Sequence, residues 1–245
     1  PISPICIVGP AGIGKTAIIK AVCKALGVDY AFYDFSSASS SWGLCGQDSG
    51  WNGSYPGLIL KTLVYGSCAN PAIQIDEICK AQVNSNTDPY LSLHTLLERP
   101  QMHRFVDSYA KNLPIDAHYV NFLATANDVT TIPATIRSRF CMIEMQAPSG
   151  SEMRAISQNM YHNLLVDEDV VDAFEPELPA DVLDWFAYKT PRETGLALAR
   201  GMAAASARDH GNNRCRLRLT DCIDLSADYD RAQSRQMGFI WKENI

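Results

Sequence analysis

The chain has 245 residues, 47% of them apolar and 20% charged, with a formal net charge of −6. That length suffices for a sizeable core in one or two domains, and the composition is ordinary for a soluble globular protein. No apolar run approaches the roughly 20 residues of a membrane helix, and the acidic balance argues against broad nucleic-acid binding. In chain order, Pro1 opens the sequence without a basic and apolar leader, and the scattered cysteines are expected to be reduced thiols in a cytoplasmic protein. With no initiator Met and a strand almost at once, the chain reads as a piece cut from something longer.

Ile5 to Val8 is a short apolar run that reads as a strand. Gly9-Pro10-Ala11-Gly12-Ile13-Gly14-Lys15-Thr16 follows, and then a helical pattern with Ile18, Ile19, Val22 and Leu26 on one face and Gly27 placed to end it. Strand, glycine-rich loop and helix form the context in which G-x-x-x-x-G-K-[ST] is a phosphate site. Glycines let backbone N–H groups converge on phosphates, and the helix start adds its positive dipole end. Lys15 supplies a charge near the β and γ phosphates, and the Thr16 hydroxyl suits Mg²⁺. The loop is expected to bind a nucleoside triphosphate, as ATP or ADP with Mg²⁺.

Tyr30 to Phe35 reads as a second strand, and a serine- and glycine-punctuated loop region follows. Within it Trp51-Asn52-Gly53 is either a loop tip or an aromatic tucked into the core; the sequence leaves both open. Leu58 to Val64 resumes helical spacing. Ala72 to Ile78 is a buried-strand pattern carrying Asp76 and Glu77, about sixty residues after the phosphate loop. Acids at the carboxyl end of a strand in an open α/β sheet face the ligand crevice. Asp76 is expected to hold the Mg²⁺ hydration shell and Glu77 to polarise a water. Gln74 is odd in a strand that should be apolar throughout.

Tyr90 to Leu97 is a short amphipathic helix, and Val120 to Thr125 another apolar strand that delivers Asn127 to the same edge. Asn127 is either a bonding partner of the γ-phosphate or attacking water, or a turn-forming residue before Asp128. Arg137 and Arg139 precede a third apolar run, Phe140 to Met145. Each reads as a solvated surface arginine or as one that reaches a neighbouring subunit's phosphate.

Ala147-Pro148-Ser149-Gly150 is the expected boundary, giving domains at 1–147 and 148–245. Beyond it the periods turn helical. Ser149 and Glu152 make a capping box, with Met153, Ile156, Met160 and Leu164 as one stripe. Pro179 opens a helix carrying Val182, Leu183 and Phe186. Thr190-Pro191-Arg192-Glu193 is a second capping box with Arg192 in the first turn, where a cation makes sense opposite an anion. Cys215, Leu217 and Leu219 alternate as a short strand, with Arg214, Arg216 and Arg218 on its solvated face. Eight cysteines without a C-x-x-C pair indicate neither zinc nor a disulfide framework.

In this order the motifs resemble an AAA+ ATPase, and more closely the ATPase module of Lon proteases, from about Ile5 to Ile143 and more loosely to about Asp224. Further Lon-like features are Gly53-Ser54-Tyr55-Pro56-Gly57, Asp76-Glu77-Ile78 with Lys80, Asp88-Pro89, Gln101 to Tyr109, Ala124-Thr125-Ala126-Asn127, Ile132-Pro133, and Arg192-Glu193 with Gly195. The resemblance implies an α/β fold, a parallel P-loop sheet flanked by helices with a small C-terminal helical lid, and nucleotide in the crevice between them. It also implies sensor roles for Asn127 and Arg192, a trans arginine finger at Arg139, and a homo-oligomeric, hexameric ring that grips protein substrate through a pore loop near Trp51. Three positions depart from the pattern. Asn52 replaces an aliphatic residue and weakens the case for threading an unfolded chain. Cys79 replaces an acid and Gln74 interrupts a strand, which leaves ATP hydrolysis compatible with the sequence. The Ser–Lys peptidase domain of Lon is not in these residues, so a separate or fused peptidase is the corresponding expectation. Three function classes stay open: protein unfoldase or remodeller, nucleic-acid remodeller, and nucleotide-gated scaffold with poor turnover.

Overall fold

The computed structural model describes residues 2–38, 40–81, 88–209 and 214–223. The sequence divides into two units, Pro1–Ala147 and Pro148–Ile245. The part of the expected lid at 224–245, including the Asp224 limit of the resemblance, lies outside the described residues.

In the first unit the elements run β1 (Ile5–Val8), α1 (Lys15–Leu26), β2 (Tyr30–Asp34), α2 (Trp42–Cys45), α3 (Leu58–Tyr65) and β3 (Ala72–Asp76). They continue with α4 (Leu91–Leu96), α5 (Arg99–Met102), β4 (Phe105–Val106), β5 (Pro114–Ile115), β6 (Asn121–Ala126), α6 (Ala134–Arg137) and β7 (Cys141–Glu144). Five strands form one sheet in the order β2-β3-β6-β1-β7, every neighbouring pair parallel. Parallel strands covered on both faces read as continuous apolar runs, and Ile73, Ile75, Phe122 and Ala124 are buried accordingly. The register sets Val8 beside Ala126 and Glu144, so β1, β6 and β7 end together, and Asp34 beside Asp76. That shared carboxyl edge positions the site. A separate antiparallel ribbon pairs β4 with β5.

Two expectations for this unit change. Helix α1 buries Ile19 and Cys23 against Ala72 and Leu123, while Ile18, Val22 and Leu26 are exposed. The side packed on the sheet is the Lys15–Ile19–Cys23 ridge, spaced four apart, and a one-residue shift turns a helix face by about 100°. Strand β3 stops at Asp76, because Glu77 takes a left-handed conformation, φ 52 and ψ 44.

The second unit is helical: α7 (Gly150–Asp167), α8 (Ala180–Phe186), α9 (Pro191–Arg208) and α10 (Leu219–Cys222). Its core gathers Tyr161, Leu165, Phe174, Val182, Phe186, Leu198 and Leu217. On α7 the fully buried row is Met153, Ser157, Tyr161 and Leu165, with Met160 and Leu164 only half-buried beside it. Ser157 enters the core because its hydroxyl donates to Met153 O at 2.6 Å. Both expected capping boxes form, Ser149 with Glu152 and Thr190 with Glu193. The strand expected over Cys215–Leu219 reduces to one bridge, Phe174 to Cys215, and Leu219 begins α10. The alternation is real, with Cys215 and Leu217 buried and the three arginines exposed.

Candidate functional site

Strand β1 delivers the chain to Gly9, whose N–H donates to Ala126 O at 3.1 Å. A Cβ on Gly9 would collide with the Met145 carbonyl oxygen, so only glycine permits this approach to β7. Gly14, at φ 101, turns the loop into α1 and serves as its N-cap with no side-chain cap and no acid in the first turn. Lys15 is only 7% exposed. Its Nζ donates to Gly9 O at 2.9 Å, Pro10 O at 2.8 Å and Asn127 Oδ1 at 2.8 Å. None of these partners carries a charge. Burial pulls the Lys15 pKa below the ordinary lysine value, against the opposing pull of the nearby Asp76 carboxylate. A sheltered cation with neutral partners at an uncapped helix start fits an anion.

Asp76, at the end of β3, gathers three donors on one oxygen. Its Oδ1 accepts from Thr16 Oγ1 at 2.8 Å, Thr125 Oγ1 at 2.7 Å and Gln74 Nε2 at 2.8 Å. Gln74 Oε1 in turn accepts from Tyr30 OH at 2.8 Å. Tyr30 pairs with Ala72 across β2–β3, which makes it the diagonal neighbour of Gln74 on the same face. Fully buried Gln74 is thus a bonded relay to Asp76 and accounts for the polar residue in an apolar strand. The Thr16 hydroxyl and Asp76 carboxylate are hard oxygen donors of the kind Mg²⁺ takes.

Glu77 follows directly. Its N–H donates to Thr125 Oγ1 at 3.0 Å, and its Oε1 pairs with Lys80 Nζ at 2.7 Å. Asn127 N donates to Cys79 Sγ at 3.4 Å, and Thr131 Oγ1 donates to Cys79 O at 3.0 Å. Cys79 therefore ties the segment after β3 to the segment after β6. A cleft of about 420 Å³ opens beside the loop, lined by Gly9, Pro10, Asn127, Met145 and Ala147 among others.

Lys15 with Asn127, and Thr16 with Asp76, Thr125 and Glu77, form two hydrogen-bonded groups that start from adjacent residues of the loop. Arg139 stands apart from these bonds: its guanidinium pairs with Glu98 Oε1 at 2.6 Å and donates to Thr135 O. Arg137 is exposed at the end of α6, and Arg192 is exposed in the first turn of α9 in the second unit. Trp51 is 69% exposed, at the tip of a loop whose ends join through Gln47 N to Tyr55 O at 3.0 Å. Buried Asp107 fixes that loop, its Oδ2 accepting from Gly57 N at 2.9 Å and its Oδ1 from Tyr109 N at 2.9 Å. Sequence reasoning gave no role to Thr125, Tyr30, Glu98 or Asp107. Only Gln74 left a signal, as a polar interruption.

A phosphate-loop lysine, a strand-end Asp-Glu pair and a strand-end Asn on a β2-β3-β6-β1-β7 parallel sheet define a P-loop nucleotide-binding protein. Residues 5–147 match the family described as "ATPase family associated with various cellular activities (AAA)", and the chain belongs to that ATPase family. Among curated proteins it is similar to Lon protease of Desulfovibrio desulfuricans, 30% identical over 192 residues, 78% of this chain and 22% of that protein. It is equally 30% identical over 192 residues to the mitochondrial Lon protease homolog of Mus musculus, covering 78% of this chain and 20% of that one. With Lon protease of Chloroflexus aurantiacus the identity is 35% over 154 residues, 63% of this chain and 18% of the relative. The chain thus spans about a fifth of the length of the curated relatives it matches, within their ATPase portion. Among solved structures a RuvB point mutant of Thermotoga maritima shares the fold, with a TM-score of 0.60 at 14% identity, over 90% of this chain and 60% of that one. Among the described residues no helix is long and apolar enough to cross a membrane.

Proposed function

We propose that this chain binds ATP with Mg²⁺ at the Gly9–Thr16 loop and hydrolyses it to drive movement of a protein substrate. The observation that carries this reading is Lys15, a buried ammonium held by three neutral oxygens at the uncapped start of α1. A phosphate offers that ammonium a charged hydrogen-bond partner, which its present three are not. The backbone N–H groups of residues 11–16 cradle the same anion, as glycine-rich loops do. Thr16 and Asp76 would hold Mg²⁺, which supplies positive charge against the phosphate oxygens when bound. Glu77, released from Lys80, orients the attacking water and takes up its proton, and Asn127 steadies that water or the terminal phosphate. Gln74 and Thr125 keep the Asp76 carboxylate aimed by their hydrogen bonds.

The finer reading follows the Lon-like pattern: six identical chains form a ring, with Arg139 facing the neighbour's nucleotide. Arg192 takes the sensing role that the resemblance gives it, and exposed Trp51 contacts protein substrate. The Glu77–Lys80 ion pair favours a second reading, a nucleotide-gated scaffold with slow turnover. One pair of variants separates the two. Lys15→Ala is expected to abolish ATP binding in calorimetry. Glu77→Gln is expected to keep the affinity and lose roughly 10²–10⁴ in turnover, the range for a general base. Unchanged affinity in Lys15→Ala overturns the phosphate site, an unchanged rate in Glu77→Gln means another residue activates the water, and a parent chain that binds ATP but barely turns it over favours the scaffold.

A further inference from the structure

Away from the phosphate loop, the β4–β5 ribbon is extended by a hydrogen bond from Ala117 N to Met102 O at 2.9 Å. Met102 and Ala117 are both buried, so this bond fixes the backbone on either side of the ribbon. It sets His103, the residue that closes α5, against Asp116 and His118, which follow β5. Their side chains turn to a common point. His118 Nδ1 lies 2.6 Å from Asp116 Oδ1, and His103 Nδ1 lies 3.4 Å from Asp116 Oδ2. The two imidazoles stack with centroids 3.9 Å apart at an interplanar angle of 30°. One ligand atom from each residue falls within 4.8 Å of the other two.

We propose that His103, Asp116 and His118 bind one divalent ion of the zinc class, which clips the end of α5 to the segment that follows β5. Two imidazole nitrogens and a carboxylate oxygen are the three-ligand set that leaves one tetrahedral position for water. His103 and Asp116 are each about half exposed, which gives that position access to solvent, whereas His118 is sheltered at 18%. Imidazole ligands select zinc, nickel or copper over Mg²⁺ and Ca²⁺, which take oxygen. The site shares no residue with the phosphate loop, so it stands whether or not the chain hydrolyses ATP.

The test uses the full chain, stripped with a chelator and dialysed against limiting Zn²⁺ in millimolar Mg²⁺. One retained Zn²⁺ per chain is expected, with a higher melting temperature, since an ion that binds only the folded state stabilises it. Eight cysteines compete for zinc, so Co²⁺ is added in a parallel sample. His and Asp ligation gives visible bands without the near-ultraviolet thiolate band. His103→Ala, His118→Ala and the isosteric Asp116→Asn should each weaken binding at least roughly tenfold, as outer-shell changes alone reach 10–100-fold. Cys141→Ser, at an exposed thiol, should leave it unchanged. Circular dichroism of the metal-free variants checks that they fold. A thiolate band, displacement by Mg²⁺, or an undiminished equivalent of zinc in folded His103→Ala/His118→Ala protein overturns the site.

Discussion

Helix α9 begins with Thr190 accepting from Glu193 N at 3.3 Å while Glu193 Oε2 accepts from Thr190 N at 2.8 Å. It ends with Arg208, whose guanidinium is clasped by Asp221 at 2.6 Å and Asp209 at 3.1 Å. Those carboxylates drive the Arg208 pKa above the ordinary arginine value. Helix α1 begins with Gly14, which has no side chain to cap with, then Lys15, and no acid in its first turn. Both helices face the same problem, since the first N–H groups lack partners and together carry roughly half a positive charge. In α9 the chain answers with the Thr190 hydroxyl and the Glu193 carboxylate, even with Arg192 in the same turn. In α1 it leaves that charge open and adds a cation, an arrangement an isolated helix would disfavour. An unanswered end alone is no site, since α3 also starts at a glycine with neither cap nor acid; in α1 the buried Lys15 beside it is what fits an outside anion.

Arg139 lies between these cases, and it carries the largest expected effect. One carboxylate, Glu98, holds it in its own protomer. If it serves as a finger on a neighbour's nucleotide, it must exchange Glu98 for phosphate on assembly. Arg139→Ala is then expected to lose roughly 10³–10⁵ in turnover with ATP affinity retained. Arg137→Ala should be mild. Mixing Arg139→Ala with Lys15→Ala chains should restore some activity, because intact Lys15 and intact Arg139 can meet across one interface. A co-assembled but inactive mixture would sink the trans role.

A smaller effect comes from giving α1 the acid it lacks. Ala17 is exposed at the third helical position, where Glu193 stands in α9. Ala17→Glu should stabilise the free protein by about 0.3–1 kcal/mol through the helix dipole. The same charge should weaken ATP binding roughly tenfold by repulsion. Thermal melting and calorimetry on one preparation read both. Unchanged affinity would mean the phosphates do not approach this turn.

Features confined to a few consecutive residues were legible in the sequence. The phosphate loop is eight residues, each capping box spans four, and the strand-end acids sit at a switch from apolar to charged. Features that depend on register or on a packing partner were not. Gln74 stood out as an anomaly, but its donor Tyr30 is identified only once β2 pairs with β3. The stripe on α7 centres on Tyr161 and Ser157, because a serine that bonds its own helix can be buried like an apolar residue. Residues 215–219 alternate like a strand, yet only Cys215 finds a partner strand residue, and alternation alone cannot supply one. Glu98 and Arg139 are 41 residues apart and meet only in the fold.

The smallest expected effect separates a helix start that holds structure from the one proposed to hold phosphate. Ser149 caps α7, accepting from Glu152 N at 3.4 Å. Ser149→Ala removes the cap and should cost about 1 kcal/mol, the usual value for such a loss. Gly14→Ala meets no atom within 4 Å of its new Cβ, so any cost comes from the backbone at φ 101. Holding alanine in a left-handed conformation costs about 1–2 kcal/mol. The two substitutions are therefore close to matched in stability, as urea unfolding of each unit would read. They should not match in function. Ser149→Ala leaves the phosphate loop untouched and should bind ATP like the parent. Gly14→Ala relieves its strain by rotating toward negative φ, which turns the N–H groups that start α1 away from the loop, and should bind several-fold more weakly. Equal affinities in the two variants would mean that the open start of α1 is a backbone accommodation rather than a seat for phosphate.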